Sequence, residues 1–594
     1  MNFTYPLDSG QMLRKKRAIR QSLLKQENLI SKRIAVLGGS TTSEIVEQME
    51  LFLLHYGIQP EFYQSEYGLY WEDAMFGNER LDAFQPDIVF IHTSWRNITR
   101  WPDMKSSKAS VNEMLMEQYG RFEMMWEKIT ERFHCPVIQN NFDRPNWRLL
   151  GNQDISDYRG RSRFLFSMNQ RLYEYAEHHE QFYINDIDYL AACYGLDQWA
   201  DPLYWHMYKY ALCLDAIPYL SKSVADIIKS IYGKNKKAIA IDLDNTLWGG
   251  VIGDDGADGI RIGPEIPAGQ VYAEFQKYLK ELKELGILLT VNSKNDEKNA
   301  LAGLSHPDGV LRPDDFVCIK ANWENKDKNL MDIADELNLG IDSFVFIDDS
   351  PAEREMVAAS MPSVAVPVMD KAENYIRILD KSGFFEMTSL SGDDISRTEM
   401  YMANKERLKL ERTLCNYNEY LKNLEMEAWI LPFDSMHMQR IAQLTNKSNQ
   451  FNLTTLRCSE ADIRKMSASS DYLCLYGKLK DKFGDNGVVS IVVGRQTNEE
   501  LHIELWLMSC RVLKRGMEDA MMDALAESAG ARSVKKIIGY YYPTPKNSMV
   551  REFYGHMGFQ KIKQDEEGNT VWELETASYI LKKPPIKVIK QREK

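Results

Sequence analysis

The stretch KKAIAIDLDNTLWGGVIGDDG, from Lys236 to Gly256, decides the fold of its part of the chain. Four apolar residues, Ala238 to Ile241, run directly into Asp242, and Asp244 and Thr246 follow at alternate positions. A short apolar run that ends in charge is typical of a buried parallel strand whose carboxyl end opens into a site. Because an unpaired buried carboxylate is costly, these residues predict a divalent cation held by carboxylates, a main-chain carbonyl and water.

The composition of the whole chain restricts the class of protein. Its 594 residues are 44% hydrophobic and 27% charged, which is ordinary for a globular protein, and the length indicates roughly three or four domains. The formal net charge of -13 argues against a nucleic-acid partner. The eight cysteines form no CxxC pairs, which argues against zinc and disulfide frameworks. With no apolar run of signal-peptide or membrane-span length, we expect a cytoplasmic protein without a membrane partner.

Residues 1–230 alternate between apolar runs and helical stretches, which predicts an α/β domain with a parallel sheet. A basic helix is expected over Gln11 to Arg33, a strand over Ile34 to Leu37, and further strands in PDIVFIHTSW and CPVIQNNF. Ser40 lies where a hydrolase of the SGNH type carries its nucleophile, with Asn97 and His206 as possible partners. The spacing from Asp201 to His206 departs from the DxxH of such enzymes, which favours the alternative that Ser40 caps a helix.

Residues 231–388 contain four apolar strands that each end in polar groups. The strands run into Asp242, into Ser293 of NSKN, into NWENK with Lys326, and into Asp348 and Asp349 of FIDDSPAERE. The carboxyl ends of parallel strands line one crevice in an open α/β sheet, so we expect these groups to lie together.

The residue types in this crevice predict phosphoryl transfer. Asp242 is placed to attack phosphorus and form an aspartyl-phosphate, and Asp244 to protonate the leaving oxygen and activate water. The groups expected to bind phosphate or substrate in the chain are Thr246, Ser293, Lys294, Lys326 and Arg511. The carboxylates expected to bind Mg²⁺ are those of Asp242, Asp244, Asp348 and Asp349.

These motifs resemble the haloacid dehalogenase superfamily, and LDNTLWGGVIGDDG, NSKN, NWENK and FIDDSPAERE resemble its FkbH-like subfamily in particular. The resemblance covers nearly the whole chain and includes a degenerate SGNH-like front part. It implies a multidomain α/β protein with a central Rossmann-like parallel sheet. Only roughly 50 residues separate Asp242 from Ser293, which leaves room for a short flap but not for a large cap domain.

The remaining chain is expected to form a helical connector over residues 389–425 and a further domain over residues 426–594. The order of three antiparallel strands, helix, strand, helix and strand resembles the GNAT acyltransferase fold. The segment from Arg511 to Gly516 keeps one glycine of that family's pyrophosphate loop, which argues against free acetyl-CoA as the donor. Cys510 lies between a strand and a helix, next to Arg511, and such a position favours a reactive thiolate. The alternative is a small buried apolar side chain.

The FkbH-like resemblance implies a glyceryltransferase and phosphatase that draws on 1,3-bisphosphoglycerate. It implies a glyceryl thioester on Cys510, removal of phosphate at Asp242, and passage of the glyceryl group to the phosphopantetheine arm of an acyl carrier protein. Three alternatives stay open. They are action on another phosphorylated precursor, as in surface-polysaccharide assembly, ordinary acyl transfer from acyl-CoA, and a carrier-docking module without catalysis.

Overall fold

The computed structural model describes residues 2–26, 29–414, 416–448, 450–544 and 546–589, with the main chain alone at positions 393, 408, 412, 447 and 510. The chain forms two compact units, one of Met1–Ile231 with Glu386–Thr388 and one of Tyr232–Phe385 with Ser389–Lys594. Within the described residues, no helix combines the length and the apolar character that crossing a membrane requires.

The first unit is built on a five-stranded sheet in the order β2-β1-β3-β4-β5, in which all neighbours are parallel. Both β3 and β4 are buried along their whole length, as expected for parallel strands covered on both faces. The strands are β1 (Ile30–Gly38), β2 (Ile58–Gln64), β3 (Ile88–His92), β4 (Val137–Asn140) and β5 (Phe182–Asn185). The helices are α1 (Ser9–Leu23), α2 (Ser43–His55), α3 (Tyr70–Phe76), α4 (Glu79–Phe84), α5 (Lys108–Phe133), α6 (Arg161–His178), α7 (Ile187–Tyr194), α8 (Leu196–Trp199), α9 (Pro202–Tyr208) and α10 (Ile217–Ile231).

Two details of the first unit differ from the sequence prediction. The basic helix ends at Leu23, and β1 already begins at Ile30. Ser40 does not cap a helix, because α2 begins at Ser43 with Thr42 at its N-cap position.

The middle part of the second unit carries a four-stranded parallel sheet in the order β8-β7-β6-β9. Its strands are β6 (Ala238–Ile241), β7 (Leu288–Ser293), β8 (Cys318–Ala321) and β9 (Phe344–Ile347). Its helices are α11 (Ile252–Asp255), α12 (Pro267–Glu284), α13 (Glu297–Leu304), α14 (Lys326–Glu336), α15 (Pro351–Ser360) and α16 (Tyr375–Lys381).

Helices α17 (Gly392–Ile395), α18 (Arg397–Thr413) and α19 (Tyr417–Asn423) lead from this sheet to a larger, mixed one. The larger sheet has the order β16-β17-β15-β14-β13-β12-β10-β18, and β11 pairs with β14. Its strands are β10 (Glu427–Pro432), β11 (Phe451–Asn452), β12 (Tyr472–Asp481), β13 (Gly484–Thr497), β14 (Glu500–Met508), β15 (Lys536–Tyr541), β16 (Gln560–Gln564), β17 (Thr570–Glu575) and β18 (Lys587–Ile589). Its helices are α20 (Met438–Lys447), α21 (Glu460–Ala468), α22 (Met517–Ala531) and α23 (Phe553–His556).

Strands β14 and β15 run parallel, but their pairing is short. Residues Glu500–Ile503 of β14 pair with residues Lys536–Gly539 of β15. Beyond that point the buried Leu453 connects them. Its N–H donates to the Trp506 carbonyl at 3.0 Å, and its carbonyl accepts the Tyr542 N–H at 2.9 Å. Leu453 directly follows β11, a two-residue strand that was not predicted from the sequence.

The predicted fold class is confirmed, because two parallel α/β sheets are followed by the GNAT-like order of three antiparallel strands, helix, strand, helix and strand. Each sheet lies within one predicted domain range, 1–230, 231–388 or 426–594. The borders themselves stay predictions.

Candidate active site

The carboxyl ends of β6, β7 and β9 meet at one edge of the middle sheet. Ile241, the last residue of β6, is in register with Val291 of β7 and with Ile347, the last residue of β9. The Asp242 N–H continues this ladder by donating to the Ile347 carbonyl at 3.0 Å. The parallel register therefore carries Asp242 and Asp348 to the same level, next to the end of β7.

Three carboxylates cluster there. One oxygen each of Asp242, Asp348 and Asp349 lies within 4.8 Å of the others. Lys326, the first residue of α14, places its Nζ 2.8 Å from Asp242 Oδ1 and 2.5 Å from Asp348 Oδ2. Asp242, Asp348 and Lys326 are buried. One ammonium does not balance three carboxylates, so the hard oxygen donors and the remaining negative charge fit a divalent cation such as Mg²⁺.

Burial and mutual repulsion shift the protonation of these groups. Burial raises the pKa of Asp242, although Lys326 acts in the opposite direction. Burial and the neighbouring Asp242 raise the pKa of Asp348, and burial and Asp348 raise that of Asp349. Burial lowers the pKa of Lys326, but the two carboxylates outweigh it and leave the pKa raised. Lys326 is therefore a fixed positive charge in the cluster.

Asp244 lies beside the cluster and is held by three donors. Its Oδ1 accepts from Trp248 Nε1 at 2.9 Å and from the Ile252 N–H at 3.0 Å, and its Oδ2 accepts from Asn295 Nδ2 at 3.0 Å. Its carboxylate, predicted to bind the metal, is not among the three clustered groups. The arrangement fixes the orientation of Asp244 instead, and its role as acid and base stays a prediction.

Of the predicted phosphate-binding residues, only Ser293 and Lys326 contact the Asp242 carboxylate. The buried Ser293 hydroxyl hydrogen-bonds Asp242 and opposes the rise of its pKa. Lys294 Nζ lies 2.8 Å from Glu353 Oε1. Thr246 is fully buried, and its hydroxyl accepts the Asp349 N–H at 3.2 Å. Thr246 therefore positions the loop of Asp349.

Arg354 and Asn292 support the site, and neither was singled out from the sequence. Arg354 Nη1 donates to the carbonyls of Asp348 at 2.6 Å and Asp349 at 2.7 Å. Asn292 Nδ2 donates to the Lys326 carbonyl at 2.8 Å. The signal for both was present, because Asn292 belongs to the NSKN motif and Arg354 to FIDDSPAERE.

A short flap separates β6 from α12. Gly249 and Arg261 pair through two main-chain hydrogen bonds of 3.0 and 2.7 Å, and Trp248 beside them is fully buried. Helix α11 is the one α-helix of the flap, all of which the structure describes. This small element agrees with the expected absence of a large cap domain.

The predicted thiol site lies in the 3-10 turn Cys510–Val512, directly after β14. The Cys510 side chain is outside the described part of the chain, so its chemistry stays a prediction. Arg511 Nε donates to Ser509 Oγ at 3.2 Å, and its Nη1 contacts the Met400 sulfur. These contacts hold Arg511 against α18, and its role in substrate binding stays a prediction.

Ser40 in the first unit lacks the surroundings of a nucleophile. Its hydroxyl is buried and has no hydrogen-bond partner among the described residues, whereas a serine nucleophile needs a base within hydrogen-bond reach. Asn97 Nδ2 donates to the Gly39 carbonyl at 3.0 Å, which engages it within the loop.

Comparisons with known proteins agree with this architecture. No curated protein matches the chain. The crystal structure of the N-terminal part of BF1531 from Bacteroides fragilis, which contains a phosphatase domain and was complexed with Mg, is 29% identical. The match covers 63% of this chain and 99% of that chain, with a TM-score of 0.58. This chain is thus similar in fold to a protein that contains a phosphatase domain.

In the first unit, residues 33–229 match the family model described as FkbH, N-terminal domain. The predicted resemblance to FkbH-like proteins is confirmed by this match. Part of the chain is also similar to a spermidine N-acetyltransferase from Vibrio cholerae, at 11% identity over 26% of this chain and 98% of that chain, with a TM-score of 0.22. A ribosomal-protein-S18-alanine N-acetyltransferase from Escherichia coli matches at 11% identity over 25% of this chain and 94% of that chain, with a TM-score of 0.20. Matches as weak as these two carry no argument about activity.

Proposed function

We propose that this chain is a Mg²⁺-dependent phosphatase of the FkbH type whose nucleophile is Asp242. The cluster of Asp242, Asp348 and Asp349 around Lys326 supports this proposal most directly. The similarity to the Mg-complexed phosphatase domain of BF1531 supports it independently.

The chemistry follows from the positions of the side chains. A carboxylate oxygen of Asp242 attacks the phosphorus, the bond to the leaving oxygen breaks, and an aspartyl-phosphate forms. Asp244, fixed by its three donors, gives the leaving oxygen a proton and later takes one from the attacking water. Lys326 and Ser293 stabilise the charge on the phosphoryl oxygens. Mg²⁺, held by Asp242, Asp348 and Asp349, supplies further positive charge at those oxygens when bound.

Phosphate release from a panel of small phosphate esters and acyl phosphates tests this proposal. We expect Asp242→Asn to lower the Mg²⁺-dependent rate by at least about a thousandfold, because no covalent intermediate can form. Asp254→Asn is the matched control, since Asp254 is an exposed carboxylate of the flap. Equal phosphate release by Asp242→Asn and the unmodified chain would contradict the assignment of the nucleophile.

We further propose that the phosphatase is coupled to glyceryl transfer from 1,3-bisphosphoglycerate to an acyl carrier protein, through a thioester on Cys510. The FkbH-like resemblance and the position of Cys510 between β14 and α22 support this finer proposal. The sulfur of Cys510 forms a bond to the acyl carbon of 1,3-bisphosphoglycerate, and inorganic phosphate leaves with the electrons of the broken carbon–oxygen bond. The phosphate that stays on the glyceryl group is removed at Asp242. The carrier thiol then takes the glyceryl group and returns the thiolate.

Intact-protein mass spectrometry after incubation with 1,3-bisphosphoglycerate and Mg²⁺ tests the covalent step. We expect a glyceryl adduct that Cys510→Ala abolishes and that Cys193→Ala, the removal of an exposed free thiol, leaves unchanged. Phosphate release should survive in Cys510→Ala. An unmodified Cys510 during turnover would refute the thioester while leaving the phosphatase proposal intact.

A further inference from the structure

Trp323 is an exposed tryptophan at the edge of the phosphatase site, and no role has been assigned to it. It lies between the end of β8 and the start of α14, three residues before Lys326. Trp323 is 72% exposed, more than any other described tryptophan. A single exposed apolar side chain is ordinary on a protein surface, so its contacts decide whether Trp323 has a function.

The main chain around Trp323 is held in place on both sides. The N–H of Asn322 donates to the Ser293 carbonyl at 3.1 Å, which ties this loop to the end of β7. The side-chain oxygen of Asn322 accepts the Glu324 N–H at 3.0 Å and Asn329 Nδ2 at 2.8 Å. An asparagine that bonds the main chain two residues further on closes a tight turn, and Trp323 is the residue at the centre of this turn.

The indole itself is fixed by a chain of hydrogen bonds that ends at Asp244. Trp323 Nε1 donates to Oδ1 of Asp296 at 3.0 Å, and Asp296 is the N-cap residue of α13, so the ring spans from the loop after β8 to the loop after β7. The Asp296 N–H donates to Asn295 Oδ1 at 2.9 Å. Because the amide oxygen of Asn295 is engaged in this way, its Nδ2 is directed at Asp244 Oδ2, 3.0 Å away. Asn295 is buried, which keeps solvent from competing for these bonds.

This chain of hydrogen bonds places Trp323 on the leaving-group side of the site. In the proposed reaction, Asp242 attacks the phosphorus and Asp244 protonates the leaving oxygen. The rest of the leaving group therefore begins at Asp244 and extends away from Asp242. The flap on this part of the chain carries one short helix, α11, and the exposed face of Trp323 offers a flat apolar surface to a leaving group that extends outward.

We propose that Trp323 determines the specificity of the phosphatase site by packing its indole face against the leaving group. The preferred substrates are then phosphate esters whose leaving group carries an aromatic or extended apolar part. A phosphate that is removed while its group is still attached to a larger molecule meets this requirement. This inference rests on the proposed phosphatase function, because the role of Asp244 defines the leaving-group side.

Relative rates on two esters test the inference. Benzyl phosphate and methyl phosphate both release a weakly acidic alcohol, so both need the proton from Asp244, and only benzyl phosphate has a ring. We expect the ratio of their kcat/KM values to fall roughly tenfold in Trp323→Ala, because one stacked aromatic pair is lost. The ratio should stay within about twofold in Trp323→Phe, which keeps an aromatic ring. Trp147→Ala, which removes another exposed indole (47%) in the first unit, is the matched control and should leave the ratio unchanged.

Binding of unreactive analogues separates a failure of this inference from a failure of the proposed function. In 2-phenylethylphosphonate and ethylphosphonate, a methylene group replaces the ester oxygen, so neither compound is hydrolysed. Isothermal titration calorimetry of the full chain with Mg²⁺ should show that the phenyl compound binds roughly tenfold more tightly to the unmodified chain and to Trp323→Phe, but not to Trp323→Ala. Such a preference without phosphate release from any ester would contradict the phosphatase proposal alone. Equal affinities of the two compounds for the unmodified chain, no binding of either, or a ratio of rates that Trp323→Ala leaves unchanged would overturn the role of Trp323.

Discussion

Replacement of Lys326 by methionine tests the charge balance of the phosphatase site most directly, because it keeps the length of the side chain and removes its charge. Lys326 is 4% exposed, and its partners Asp242 and Asp348 are 9% and 1% exposed at the side chain. Very little water-exposed surface is available to the two carboxylates once the ammonium has gone. Their charge is then left uncompensated inside the protein.

The expected loss follows from this burial. Removing one partner of a buried ion pair lowers the free energy of unfolding by about 3–5 kcal/mol. Mg²⁺ that binds only the folded state restores about 2.7 kcal/mol at a hundred times its dissociation constant. The cation should stabilise Lys326→Met more than the unmodified chain, since it no longer competes with an ammonium for the same carboxylates.

Urea unfolding of the full chain, read by hydrogen exchange of peptides from β6 and β9, measures the middle domain separately. The measurement is made with EDTA and with saturating Mg²⁺. Lys328→Met is the matched control on the same helix, because Lys328 and its partner Glu324 are 62% and 57% exposed, and such a surface pair contributes little to stability. A loss below about 1 kcal/mol for Lys326→Met in EDTA, or the same Mg²⁺ increment in both chains, would refute the reasoning.

Two further predictions concern other parts of the chain. Burial lowers the pKa of His92 to about 4 from its ordinary 6.5, so the unfolded state binds the extra proton first, and stability falls as the pH drops below 6.5. We expect the first unit to lose about 2 kcal/mol from this group between about pH 7 and 5. Hydrogen exchange corrected for intrinsic rates should show this loss reduced in His92→Asn. Gly303→Ala places a Cβ 2.6 Å from the Trp248 ring. The Nε1 of that ring donates a hydrogen bond to Asp244. The substitution should lower the free energy of unfolding by about 1–3 kcal/mol and slow phosphate release. The control Gly253→Ala, where the added Cβ meets nothing within 4 Å, should preserve the rate of phosphate release.

The strands of the phosphatase site could be predicted because their signal is local. Continuous apolar runs that end in Asp242, Ser293 and Asp348 specify parallel strands, and parallel topology brings their ends together. Lys326 follows from the same argument, since it begins the helix after the next strand. The structure adds the distances and the burial that make this a charged cluster.

The partners of these residues could not be predicted, because they are distant in the chain. Asn295 reaches Asp244 across 51 positions, and Glu353 pairs with Lys294 across 59. Sequence periodicity does not report such pairings, because it reflects only the spacing of nearby residues. The two-residue strand β11 is too short to show any period.

The connection that Leu453 makes between β14 and β15 has a consequence for solubility. Where parallel strands diverge, each exposes a row of unpaired N–H and C=O groups that can template the addition of a strand from another molecule. Leu453 engages the main chain of both strands, and the Thr454 hydroxyl donates to the Glu504 carbonyl at 2.7 Å. Where β14 and β15 diverge, their main-chain groups therefore find partners in the same chain. This protects an internal strand edge of the larger sheet against edge-to-edge aggregation.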